Sequence, residues 1–121
     1  MKPSFVALLI ISLTALIFGF YRTTEWLSPK VTLKNQGTSV IESAKVYLPS
    51  NTLSFDRIGA GESITILRSS NQADGSYRYI ISLSNGETLI GNCGYVTNSE
   101  FAITQQIVVL PDNKVACFYI P

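Results

Sequence analysis

Two cysteines, no histidine and a scatter of well-separated acids and bases set the limits on what this chain can do chemically. Without histidine, the Ser/His/Asp and Cys/His nucleophile systems lack their base. A Ser–Lys dyad is formally open, but nothing in the sequence brackets one serine for the role. Asp56 and Glu62 flank the same turn and could approach as a carboxylate pair of the sort glycoside hydrolysis uses. Acids in turns are ordinarily solvated, however. Gly59-x-Gly61 lacks the third glycine and the following helix that cradle a phosphate. Two isolated cysteines do not make a tetrahedral metal site. The chain therefore reads as non-enzymatic, with no catalytic, metal or cofactor-binding residue.

The cysteines are nonetheless the most informative pair. Cys93 lies in Gly91-Asn92-Cys93-Gly94-Tyr95-Val96, and Cys117 in Val115-Ala116-Cys117-Phe118-Tyr119. A structural disulfide, two buried free thiols, and a redox or metal pair are the competing readings. An even count behind an export segment favours the disulfide. Closing a loop of about 25 residues stabilises by roughly 3.5 kcal/mol in the chain-entropy picture, a large share of the ~5–15 kcal/mol that holds a small domain together. The bond would clamp the C-terminal strand to the segment leading out of the Asn85-Gly86 turn.

What remains is surface. Tyr47, Tyr77, Tyr79, Tyr95 and Tyr119 are many for a region this short, and tyrosine is enriched at interfaces. Most such rings pack with the hydroxyl at the rim. Tyr95 is the preferred contact, because Gly94 and the neighbouring disulfide would hold its loop rigid, and Val96 and Tyr119 complete the candidate partner contact. Ile120-Pro121 follows on the last strand, which at a sheet edge could accept a partner strand.

The elements that must carry these residues are of two kinds. Between Lys2 and Arg22 no residue is charged, and Phe5 to Tyr21 is apolar except for Ser12 and Thr14. At 1.5 Å per residue those seventeen residues span roughly 26 Å, close to the hydrocarbon thickness of a thin bilayer. An uncleaved transmembrane anchor and a cleaved signal peptide compete. The run exceeds the apolar region of a signal peptide, and no A-x-A follows it. A lipoprotein is excluded because no Cys follows the run, and a type IV pilin leader because Gly19-Phe20 and Glu25 come after it. Tyr21, Trp26 and Arg22 suit a membrane interface. The expected organisation is a tail over 1–4, the anchor over 5–21, a linker over 22–29 and one domain over 30–121.

Beyond the linker the chain reads as strands. Tyr77, Tyr79, Ile81 and Leu83 alternate with mainly polar residues, the period of a half-buried strand. Asn85-Gly86 suits a two-residue type I′ turn, and Glu87–Ile90 returns as the second arm of a hairpin. Val31–Lys34, Ala44–Leu48, Leu53–Ile58, Ser63–Arg68, Phe101–Leu110 and Val115–Ile120 are further strands, separated by Gly, Asn, Asp and Pro turn signals. About eight strands with turns every 8–12 residues predict an all-β, antiparallel Ig-like β-sandwich, with a small barrel as runner-up. The only tryptophan, Trp26, lies outside the domain, so "Ig-like" describes architecture alone.

Removing Lys2 and Arg22 from nine bases, and Glu25 from eight acids, leaves seven of each in the domain. Such a balance gives no electrostatic footprint for nucleic acid or anionic lipid.

Several short motifs are similar to those of a group of small membrane-anchored envelope proteins of Gram-negative bacteria. They are V-x-L-x-N (Val31, Leu33, Asn35), L-x-x-G-E-S with Ile58 in place of the leucine (Ile58–Ser63), C-G-Y-V (Cys93–Val96) and V-x-C (Val115–Cys117). Gly59-x-Gly61-Glu62-Ser63 also resembles a turn common in bacterial Ig-like envelope domains. The resemblance implies a periplasmic domain tethered to the inner membrane, or a periplasmic one after cleavage, and it implies no activity. The expected function is an interaction module that docks to another envelope protein. A protein protecting against a periplasm-active toxin, and a small-ligand sensor, are the alternatives.

Overall fold

The computed structural model describes residues 3–121, with the side chains of Pro3, Phe5 and residues 19–26 outside that description. Helix α1 spans Pro3–Leu27. The strands are β1 Lys30–Asn35, β2 Ile41–Tyr47, β3 Thr52–Phe55, β4 Ser63–Leu67, β5 Gly75–Leu83, β6 Thr88–Val96, β7 Thr104–Val109 and β8 Val115–Ile120. They form two four-stranded sheets, ordered β4-β1-β7-β8 and β3-β2-β5-β6. Alternating residues of both enter one core: Val31, Leu33, Ile107 and Val109 from the first, and Ala44, Val46, Tyr77 and Ile81 from the second. The described domain is all-β and β-sandwich-like.

Two expectations need correction. The sheets are not wholly antiparallel, because β1 and β7 run parallel, Lys30 beside Thr104 through Asn35 beside Val109. A period of two gives the inward face of a strand but not its direction. The β5–β6 turn is also not a two-residue type I′ turn. Leu83 donates to the Glu87 carbonyl and Gly86 to that of Leu83, leaving a three-residue loop in which Gly86 alone has positive φ, at 91°. A type I turn closed by a left-handed glycine is the usual three-residue solution. The β7–β8 turn repeats it with Asn113 at φ 62°.

Asn35 ends β1 as a buried fastener. Its amide nitrogen donates to the carbonyls of Ser39 and Ile58, and its side-chain oxygen accepts from Gly37. The β1–β2 and β3–β4 connections at one end of the sandwich are thereby joined by a single side chain.

At the other end α1 enters almost directly. The helix continues to Leu27, so helical backbone fills most of the linker expected over 22–29, and only Ser28 and Pro29 separate it from β1. The Leu27 carbonyl accepts from Ala102, and the Pro29 carbonyl from Arg68. From Val6 to Phe18 every side chain of α1 is exposed, and the Thr14 hydroxyl is satisfied by the Ile10 carbonyl. Among the described residues no helix is long and apolar enough to cross a membrane. Met1, Lys2 and the side chains at both ends of the expected 5–21 span lie outside the described residues.

Candidate functional site

The candidate contact residues lie along β6 and β8, near the ends of both strands. Cys93 of β6 is bonded to Cys117 of β8, with Cα atoms 5.9 Å apart. Each strand is the outer one of its sheet among the described residues, so the disulfide closes one side of the sandwich. Cys93 is buried and Cys117 exposed.

Just beyond Cys93 the strand bulges. Tyr77 faces Cys93 and Gly75 faces Val96, so β6 spends one more residue than β5 over that interval. Gly94 sits there at φ 58°, a conformation glycine adopts without penalty. A Cβ at this position would stand 2.3 Å from the Gln105 side-chain oxygen. Buried Gln105 fills the space a side chain at 94 would take, and it donates to the Phe118 carbonyl. The bulge turns Gly94 and Tyr95 outward between buried Cys93 and Val96. Tyr95 is 60% exposed, whereas Val96 is fully buried. Val96 is therefore a core residue with no side-chain surface to offer, and the candidate contact reduces to Tyr95 and Tyr119.

Tyr119 stands opposite Gln105 in the β7–β8 register and is 55% exposed. Together Tyr95, Tyr119, Gly94, Thr97 and Glu100 line an open cleft of about 490 Å³. Beside it, β8 keeps one unpaired edge among the described residues. Leu110 donates to the Lys114 carbonyl, and the antiparallel alternation that follows leaves the main-chain groups of Val115, Cys117 and Tyr119 facing away from β7.

Glu100 is held from beneath. Its Oε1 accepts the Thr97 N–H and lies 3.3 Å from Nη2 of Arg68. That distance makes an ion pair, though the N–H is not aligned for a hydrogen bond. The Arg68 side chain is fully enclosed. Its Nε donates to the Tyr77 hydroxyl at 2.8 Å and its Nη1 to the Ser69 carbonyl at 2.9 Å. The guanidinium also lies 5.7 Å from the centroid of the Tyr77 ring. Burial pushes the Tyr77 hydroxyl above its ordinary pKa, with Arg68 pulling the other way. The loop carrying Glu100 holds Ser99 and Ala102 at φ 60° and 53°, and Ser99 donates to the Ser70 carbonyl.

Arg68, Glu100, Gln105 and Tyr77 are absent from the sequence-derived site. Charged residues at strand ends and in turns read as solvated. The one available signal is an arginine at the end of a β-branched run, where a buried partner would be needed. Asp56 and Glu62 are both exposed, and the Glu62 carboxylate accepts from the Gly59 N–H at 3.3 Å.

This geometry belongs to a β-sandwich-like protein stapled by one disulfide, with an aromatic cleft at one corner. No family model matches the chain, and no curated protein matches it. Among solved structures, the NMR structure of a protein from Eubacterium rectale is similar over 78% of this chain and 88% of that one, with 17% sequence identity and a TM-score of 0.55. That likeness concerns the fold alone.

Proposed function

We propose that this chain is a non-enzymatic, membrane-tethered Ig-like module of the bacterial envelope. Its domain faces the periplasm and docks to another envelope protein through the cleft between Tyr95 and Tyr119. The observation that carries the reading is the construction of the cleft: two exposed tyrosines and a carboxylate, braced by a disulfide, a glycine bulge and a buried arginine. Exposed rings on rigid backbone contribute contact area at small entropic cost, which is what binding hot spots require. The unpaired edge of β8 adds main-chain donors and acceptors beside the rings. The exposed apolar series from Val6 to Ile17 supports the tether.

Crosslinking in living cells, followed by capture of the full-length chain from membrane extracts, tests this. Tyr95→Ala and Tyr119→Ala are each expected to lose a partner that Ile90→Ala retains, Ile90 being 61% exposed but outside the cleft lining. A partner retained by both tyrosine variants overturns the cleft as the docking site. A small-ligand sensor is the second reading, favoured by a cleft volume within the ~300–1,000 Å³ typical of ligand sites.

A further inference from the structure

The two ends of the sandwich differ in chemistry. At the end remote from α1, the β5–β6 and β7–β8 turns present Asn85, Glu87, Asp112 and Lys114, all exposed, and Asn113 donates to the Glu87 carboxylate across the two turns. At the α1 end the register sets Leu67, Lys30, Thr104 and Ile120 side by side across β4, β1, β7 and β8. Leu67 is 47% exposed, Ile120 46% and Phe101 58%. Phe101 adjoins Ala102, whose N–H is bonded to the last residue of α1, Leu27, itself exposed. With strands about 4.8 Å apart, these apolar groups ring the point where the helix enters, over a width of roughly 15 Å.

We propose that this end of the domain rests on the lipid bilayer, with Leu67, Phe101 and Ile120 in the headgroup layer and Lys30 among the phosphates. The inference rests on α1 being a membrane anchor. Its own observation is the connection: past the apolar run that ends at Tyr21, six further helical residues add only about 9 Å, and the two residues and the Leu27–Ala102 hydrogen bond that follow hold the rim close to the surface into which the helix runs. Exposed apolar and aromatic side chains at the level where an anchor leaves the bilayer lower the free energy of interfacial seating. The remote turns stand about 20 Å further out, six strand residues at about 3.4 Å each.

The test uses the full chain in nanodiscs of phosphatidylcholine and phosphatidylglycerol, with lipids spin-labelled either in the headgroup or in the acyl chain, and backbone amide signals as the readout. The headgroup label is expected to erase most of the signal of Leu67, Phe101 and Ile120 while Gly86 and Asn113 keep theirs. Erasure of α1 by the acyl-chain label, with residues 67, 101 and 120 unaffected by the headgroup label, overturns the seating and leaves the anchor intact. Failure of the acyl-chain label to affect α1 overturns the anchor, and the seating with it. Uniform loss across both ends of the domain also overturns the seating, because it means that the domain has no fixed face toward the lipid.

Discussion

The guanidinium of Arg68 and the carboxylate of Glu100 meet 3.3 Å apart, the first fully enclosed and the second only 13% exposed. They come from the residue after β4 and from the loop before β7, so the pair ties a sheet end to the wall of the cleft. Removing one partner of such a pair strands the other. Arg68→Ala is expected to lose about 3 kcal/mol or more, read from the shift in urea midpoint. The double variant Arg68→Met/Glu100→Gln should recover part of that loss, because no unpaired charge stays buried.

Tyr77 makes stability depend on alkaline pH. Its folded pKa lies above the ordinary 10.0, chiefly through burial. The unfolded chain therefore gives up this proton first, and the native state binds more protons than the unfolded state once pH passes about 10. The contribution is fully present below that pH and is lost as pH rises toward the folded pKa. Tyr77→Phe should flatten this part of the decline in unfolding free energy above about pH 10. At neutral pH it should cost about 1–3 kcal/mol, since Arg68 Nε loses its acceptor.

Opening the Cys93–Cys117 bond releases two outer strands at once. Reduction, or Cys117→Ser, is expected to remove roughly 3.5 kcal/mol, visible as a lower thermal midpoint in reductant. The Tyr95–Tyr119 cleft should loosen together with the fold, and partner capture should weaken under the same treatment.

Backbone substitutions in the two strained segments should act in opposite directions. Gly94→Ala places a methyl against Gln105 at a positive φ and is expected to destabilise by about 1–3 kcal/mol. Ala102→Gly relieves a left-handed alanine and should stabilise by up to about 1 kcal/mol. Both are measured by chemical denaturation of the full chain.

The strands were legible where side-chain alternation and turn chemistry agreed. Val115–Ile120 is bounded by the Asn113 turn, and its observed limits match those read from the residues. In β5 the inward positions Tyr77, Ile81 and Leu83 follow the alternation, with Tyr79 only half-buried. Strand β6 runs on to Val96, past the Ile90 at which the residues end the hairpin arm. Gly91 is there because the Tyr79 hydroxyl from the facing strand lies where a Cβ would stand. Such a steric reason exists only after pairing. The same holds for the Arg68–Glu100 pair and for the burial of Val96, which the bulge at Gly94–Tyr95 decides. Helical backbone past residue 21 was hidden because Arg22, Thr23, Thr24 and Glu25 interrupt the apolar run without breaking a helix.

The entry of α1 into β1 has a mechanical meaning. β1 is an inner strand, laddered to β4 on one side and to β7 on the other. A force drawing the helix away along the strand axis would load both ladders in shear, many hydrogen bonds sharing the strain together. A tether attached to an outer strand would instead let the ladder peel one bond at a time. The parallel β1–β7 pair passes the load to β7 and thence to β8, which the disulfide joins to the second sheet. A pull between the anchor and a partner held at β8 would thus be borne by the β1–β7 and β7–β8 ladders, with the disulfide bracing β8 against the second sheet.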